Sequence, residues 1–168
     1  MKYLVPLHCI LGISLILKFG LSWQFLFALV FIEGLLILAV IDLYTGLLPD
    51  LFTLALLWLG LFAGLFHCFV DLRSAVIGAM AGYLSLWLIC QGFRYCRKKE
   101  GMCYGDFKLL AAIGAWLGWQ SLPIVVLIAS SLSLLFALSL YALKKSWQHS
   151  LPFGPGLMLA AWLFLLIC

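Results

Sequence analysis

Two aspartates stand where apolar sequence meets polar sequence, and they are the residues best placed to do chemistry. Asp42 closes the apolar run 23–41, while Asp106 follows Gly105 and opens the run 107–120. A pair of carboxyls can hydrolyse a peptide bond, one activating a water molecule while the other protonates the carbonyl or the leaving amine. Held a few ångströms apart they share a proton, because two adjacent negative charges are costly to form together. The same pair could instead serve a proton relay or cation transport. Position alone also leaves Asp106 open to a structural reading, as an N-cap whose oxygen satisfies free N–H groups at a helix start.

The elements that must position these residues are apolar helices. Of the 168 residues, 67% are hydrophobic and 10% charged, against about 45–50% and about 25% in a soluble domain. That composition excludes a soluble protein and leaves room for six or seven spans of about 20 residues. The expected fold is all-α, a polytopic membrane helical bundle of about seven transmembrane helices, with 1–168 forming a single membrane-embedded domain. In lipid an ionisable group costs about 2.5–3.5 kcal/mol at a helix centre and less near the interface, so a carboxylate kept there is a functional candidate. The net charge of +4 comes from basic residues clustered in loops. These set topology and do not form a nucleic-acid groove. The cysteines at 9, 68, 90, 96, 103 and 168 include no C-x-x-C pair, so neither zinc nor a disulfide framework is expected.

The start of the chain, Met1-Lys2 and an apolar run, superficially resembles a secretory signal. It lacks an A-x-A-like cleavage site and reads as the first span, 3–17. Further spans are expected at 23–41, 51–70, 74–93, 107–120, 122–143 and 152–168, with 42–50 a helix-breaking loop punctuated by Gly46 and Pro49. The fifth is short, about 21 Å of helix against a hydrocarbon core of about 30 Å. Counted along alternating spans, Lys2, Arg94, Arg97, Lys98, Lys99, Lys108, Lys144 and Lys145 fall on one side and Lys18 and Arg73 on the other. The first side is therefore cytoplasmic, and both Asp42 and Asp106 arrive at that face. The pairs Gly60/Gly64, Gly78/Gly82 and Gly114/Gly118 each place two glycines on one helix face, which permits close helix packing.

The residues around the aspartates resemble a known family. Ile41-Asp-Leu-Tyr-Thr-Gly-Leu-Leu-Pro-Asp50 and Tyr104-Gly-Asp-Phe-Lys-Leu-Leu-Ala-Ala-Ile-Gly-Ala-Trp-Leu-Gly118 are similar to the two aspartate segments of type IV prepilin peptidases, intramembrane aspartic proteases of the GxGD type. Pro152-Phe-Gly-Pro155 resembles the segment before their last span. The likeness covers 23–168 and comprises three matches in the right order. It implies a helical bundle in the bacterial inner membrane, with the active site facing the cytoplasm and Asp42 and Asp106 as the catalytic pair. The implied activity is removal of the basic leader from type IV prepilins or type II secretion pseudopilins, with no organic cofactor and no metal. Two departures stand out. Cys103 occupies the first glycine position of the GxGD motif, and 18–22 stands where larger members carry a cysteine-containing cytoplasmic domain, so methyltransferase activity is not implied.

Gly105, Lys108, Asp50 and Glu33 are the supporting candidates. Asp106, ahead of a helix and close to Lys108, reads as the ionised base, and Asp42, at a helix end, as the protonated acid of a coupled pair. Asp50 either caps the third span, orients its loop or meets the leader's basic residues. Lys108 either snorkels or tunes Asp106. Glu33, midway along its span, is a hydrogen-bonded structural residue or takes part in substrate binding or proton transfer. His8, His67 and His149 read as interfacial polar residues, and Trp58, Trp87, Trp116, Trp119 and Trp147 as packing or belt anchors. Two readings compete with the peptidase: a proton- or cation-coupled transporter using Glu33, Asp42 and Asp106, and a catalytically degenerate pilus-assembly factor. Transport requires Glu33 as much as the aspartates, whereas proteolysis tolerates Glu33→Gln.

Overall fold

A computed structural model describes residues 4–20, 22–97, 104–142 and 153–167. Among the described residues every regular element is a helix: α1 (Leu4–Phe19), α2 (Trp23–Thr45), α3 (Asp50–Leu65), α4 (Leu72–Arg97), α5 (Tyr104–Leu117), α6 (Leu122–Ala142) and α7 (Gly154–Ile167). Three stretches, Trp23–Thr45, Leu72–Gly92 and Leu122–Ser139, are long and apolar enough to cross a membrane, while Asp50–Leu65 and Gly154–Ile167 are shorter apolar helices. The protein is an all-helical polytopic membrane bundle, as its composition requires.

The short helix α5 is the axis of the bundle. From Leu109 to Leu117 its sequence is apolar all round, the pattern of a helix enclosed by others, and Phe107, Leu110, Ala112, Ile113 and Ala115 are completely buried. Glycines decide how closely its neighbours approach. A Cβ on Gly78 of α4 would stand 2.1 Å from the carbonyl oxygen of Gly114, and one on Gly114 would stand 2.2 Å from that of Gly78. The two backbones touch where neither carries a side chain. One turn along, a Cβ on Gly82 would stand 2.6 Å from the Leu110 carbonyl oxygen. On the other side Trp116 lies against Gly60 of α3, stacks on Phe31 at 4.8 Å between ring centroids and donates its indole N–H to the Leu56 carbonyl at 2.8 Å. Gly118 has a different task from its partner Gly114. At φ +79° it closes α5 in the left-handed region, its N–H bonded to the Gly114 carbonyl at 2.9 Å.

The helix ends differ from those expected from sequence, each for a local reason. α2 continues through Asp42 to Thr45 and stops at Gly46, whose φ of 64° and N–H bond to the Asp42 carbonyl at 2.8 Å form the C-cap. The helix-breaking loop is therefore 46–49. α3 ends at Leu65, before a turn in which His67 takes φ 51°. Asp71 then precedes α4, and hydrogen bonds from the Ser74 side chain and backbone hold its carboxyl below the ordinary carboxylate range. α5 begins at Tyr104, so Asp106 lies inside its first turn. At the end of the bundle where α1 stops, Lys18 donates to the Leu165 and Leu166 carbonyls at 2.7 and 3.1 Å, closing the C-terminus of α7. Lys2, Lys98, Lys99, Lys144, Lys145, Trp147, His149, Pro152 and Cys168, which figure in the orientation, belt, motif and cysteine expectations, lie outside the described residues.

Candidate active site

Three helix ends and one loop meet at one end of the bundle: the last turn of α2, loop 46–49, the first turn of α5 and the start of α7. Asp42 and Asp106 are both buried there, at 6% and 7% exposure, although their chain positions lie in separate helices. They are close enough for the charge on Asp42 to act on Asp106. In a water-poor setting two such carboxyls must share a proton or pair with other groups.

Each carboxyl is positioned by a glycine. On the Asp42 side the backbone N–H of Gly154, the first residue of α7, donates to Oδ2 at 2.9 Å. A Cβ at position 154 would lie 2.7 Å from that same oxygen. On the Asp106 side, a Cβ on Gly105 would stand 2.6 Å from Cβ of Leu48, which is buried within loop 46–49. The absence of a side chain at Gly105 lets the loop after Asp42 rest directly against the turn that carries Asp106. Gly105→Ala is expected to cost about 1–3 kcal/mol by overpacking, measurable as a lowered melting temperature in detergent, and Leu48→Ala in the same chain, which keeps the opposing Cβ, should not recover the loss.

The supporting candidates sort into two groups. Lys108 turns to Asp50, Nζ to Oδ1 at 2.6 Å, and not to Asp106. Asp50 is the first residue of α3, whose N-cap is Pro49 with no side-chain cap bond, so its carboxylate holds the loop to α5 instead of capping the helix. With the Asp50 side chain 62% exposed, the pair is worth at most about 1 kcal/mol. A double-mutant cycle with Asp50→Asn and Lys108→Met should return a coupling of that size, and the charge-swapped Asp50→Lys/Lys108→Asp protein should recover part of the activity lost in either single reversal. Glu33 belongs elsewhere. Its carboxylate oxygens lie 2.8 and 2.7 Å from Nδ1 of His8 on α1, and it stands about 13 Å along α2 from Asp42 by helical rise. The transporter reading grouped Glu33 with the aspartates, and the structure separates them.

From the sequence, the helix ends carrying the two aspartates and the nearness of Lys108 to Asp106 bear on which carboxyl is ionised. The start of α7 adds a third helix end, whose first N–H goes to Asp42, and Lys108 pairs with Asp50. Nothing about Gly154 in the sequence is acidic, basic or nucleophilic, so chemistry-bearing residue types could not flag it. Its only sequence signal was the motif Pro152-Phe-Gly-Pro155. The His8–Glu33 pair had a signal of its own: in an antiparallel hairpin centred between residues 20 and 21, positions 8 and 33 are equally far from the turn. Cys103 lies outside the described residues. Among the described residues no three His, Cys, Asp or Glu side chains gather as a metal site would require. A cavity of about 540 Å³ lined by Trp23, Phe27, Phe62, Phe66 and His67 opens at the other end of α2 and shares no residue with the aspartate pair.

The fold and the paired carboxyls together define a helical membrane protein with two acidic side chains gathered at one end of its bundle. Residues 29–138, which include Glu33, Asp42, Asp50, Gly105, Asp106 and Lys108, match the model of the type IV leader peptidase family. The chain is 48% identical over 161 residues to the prepilin leader peptidase/N-methyltransferase of Aeromonas hydrophila, covering 95% of this chain and 56% of the relative. It is 54% identical over 131 residues to the protein of that name from Pectobacterium carotovorum subsp. carotovorum, covering 77% and 47%. The Pseudomonas aeruginosa relative is 45% identical over 149 residues, covering 88% and 51%. The chain belongs to the type IV leader peptidase family. It spans about half the length of the curated relatives it matches. No solved structure gives a significant match.

Proposed function

We propose that the protein is an intramembrane aspartic endopeptidase that removes the basic leader of type IV prepilins or type II secretion pseudopilins, with Asp42 and Asp106 as its catalytic pair. The observation that carries this reading is the meeting of these two buried carboxyls at one end of the bundle, in a chain of the leader peptidase family. In the proposed reaction one carboxylate takes a proton from water as the water oxygen attacks the scissile carbonyl. The other carboxyl protonates the carbonyl oxygen; as the C–N bond breaks, the first passes the proton it took from water to the leaving amine, and the second takes a proton back from the gem-diol hydroxyl as the C=O re-forms.

The proposed setting is the bacterial inner membrane, with the pair at the cytoplasmic face. The excess of Lys and Arg on that side of the sequence supports it. A substrate with a hydrophobic stem can lie among the spans while its basic leader stays in water, which brings the junction between them to the depth of the aspartates. Co-expression with a prepilin, followed by gel shift or mass of the pilin, tests the reading. Loss of the leader is expected with the unmodified protein and with Glu33→Gln. A pilin that keeps its leader in the presence of the folded protein contradicts it.

A further inference from the structure

We propose that Gly154 is a positioning residue for Asp42, and that the start of α7 sets which oxygen of that carboxyl faces the reaction; this rests on the peptidase reading above. The first N–H groups of a helix have no partner within it. In α7 the helix's own bonding begins with the Leu157 N–H to the Phe153 carbonyl at 3.1 Å, while the Gly154 N–H goes to Oδ2 of Asp42 at 2.9 Å. A backbone N–H can only donate, so Oδ2 can only accept from it. The proton that the pair exchanges is thereby assigned to Oδ1, and rotation of the carboxyl about its own axis is stopped.

The residue type follows from the same geometry. A Cβ at position 154 would stand 2.7 Å from Oδ2, 3.1 Å from Cγ and 3.2 Å from Cβ of Asp42, so any side chain there drives the carboxyl and α7 apart and lengthens the bond. Pro155 follows, and its fixed φ holds the first turn in helical form without needing a partner for an N–H it lacks. Bringing the donor to the carboxyl and keeping it there is the combined work of Gly154 and Pro155. Displacing a reacting group by about 1 Å can lower a rate by about 100-fold, which makes this contact a lever on turnover and not on substrate affinity.

The test uses the purified protein, a prepilin substrate and three variants. Gly154→Ala is expected to lower kcat by at least about tenfold with KM unchanged. Gly156→Ala introduces comparable crowding two residues along α7, 2.8 Å from Oγ of Ser133, without touching Asp42, and should keep kcat. Independently of turnover, amide hydrogen exchange should show the Gly154 N–H exchanging faster in Asp42→Ala than in the unmodified chain, with the Leu157 N–H unchanged. Equal kcat values for Gly154→Ala and Gly156→Ala overturn the proposal. So does unaltered Gly154 protection in Asp42→Ala, whether or not Gly154→Ala folds. If the folded unmodified protein fails to cleave, or Asp42→Ala cleaves normally, the peptidase reading fails on its own, and the exchange result still judges the contact.

Discussion

Asp42→Asn and Asp106→Asn are each expected to lower leader cleavage by about 10²–10⁴-fold, the usual worth of a general acid or base, while leaving the protein folded. Asparagine has nearly the size of aspartate, and its carbonyl oxygen still accepts a hydrogen bond, so the Gly154 N–H keeps a partner at position 42. What the substitution removes is the ability to take up and release a proton. Because the carboxyls act as one unit, the double variant should be little worse than either single one. Initial rates on a prepilin, read by mass, give the effect, and melting temperatures of the same preparations check that folding is intact. Multiplicative losses in the double variant would mean that the two carboxyls act in separate steps.

The second large effect is structural. Gly78→Ala is expected to destabilise the bundle by about 3 kcal/mol or more, at or beyond the upper end of overpacking costs, because the new Cβ would stand 2.1 Å from the Gly114 carbonyl oxygen. A flexible side-chain tip can move aside, but this neighbour is helix backbone, so α4 and α5 must separate along their length. Asp106 rides on α5, and its position relative to Asp42 shifts with the helix, so activity falls together with stability. Gly114→Ala should behave alike from the other side of the same crossing. A Cβ on Gly92, further along the same helix as Gly78, would meet no atom within 4 Å, and Gly92→Ala should leave melting and cleavage unchanged. Comparable melting temperatures for the Gly78 and Gly92 variants would show that the crossing is looser than the geometry requires.

Composition and spacing carried the architecture well. An apolar chain with few charges admits only a helical membrane bundle, and the short run after Asp106 is an enclosed 14-residue helix. The glycine pairs marked the tight crossings, because a missing side chain matters most where backbones meet. Helix ends were harder to place. Asp42 and Asp106 read as loop-flanking because polar residues near glycine look like breaks, yet both lie within helical turns, one held by the Gly46 C-cap and the other following Tyr104 into α5. The side-chain partners were least legible. Lys108 read as snorkelling or tuning Asp106, two residues away, and only packing of the loop on α5 brings it to Asp50. Glu33 and His8 find each other through the α1–α2 hairpin register, a relation invisible to any local pattern. The donor to Asp42 comes from the backbone, where residue chemistry leaves no trace.

The most direct measurement is cleavage by the purified protein reconstituted in lipid vesicles with one purified prepilin, scored by the mass of the product and its new N-terminus. The unmodified chain should release the leader at a single bond beside the hydrophobic stem, and Asp42→Asn and Asp106→Asn should release almost none. Undiminished cleavage by the folded double variant would contradict a catalytic role for this pair of carboxyls.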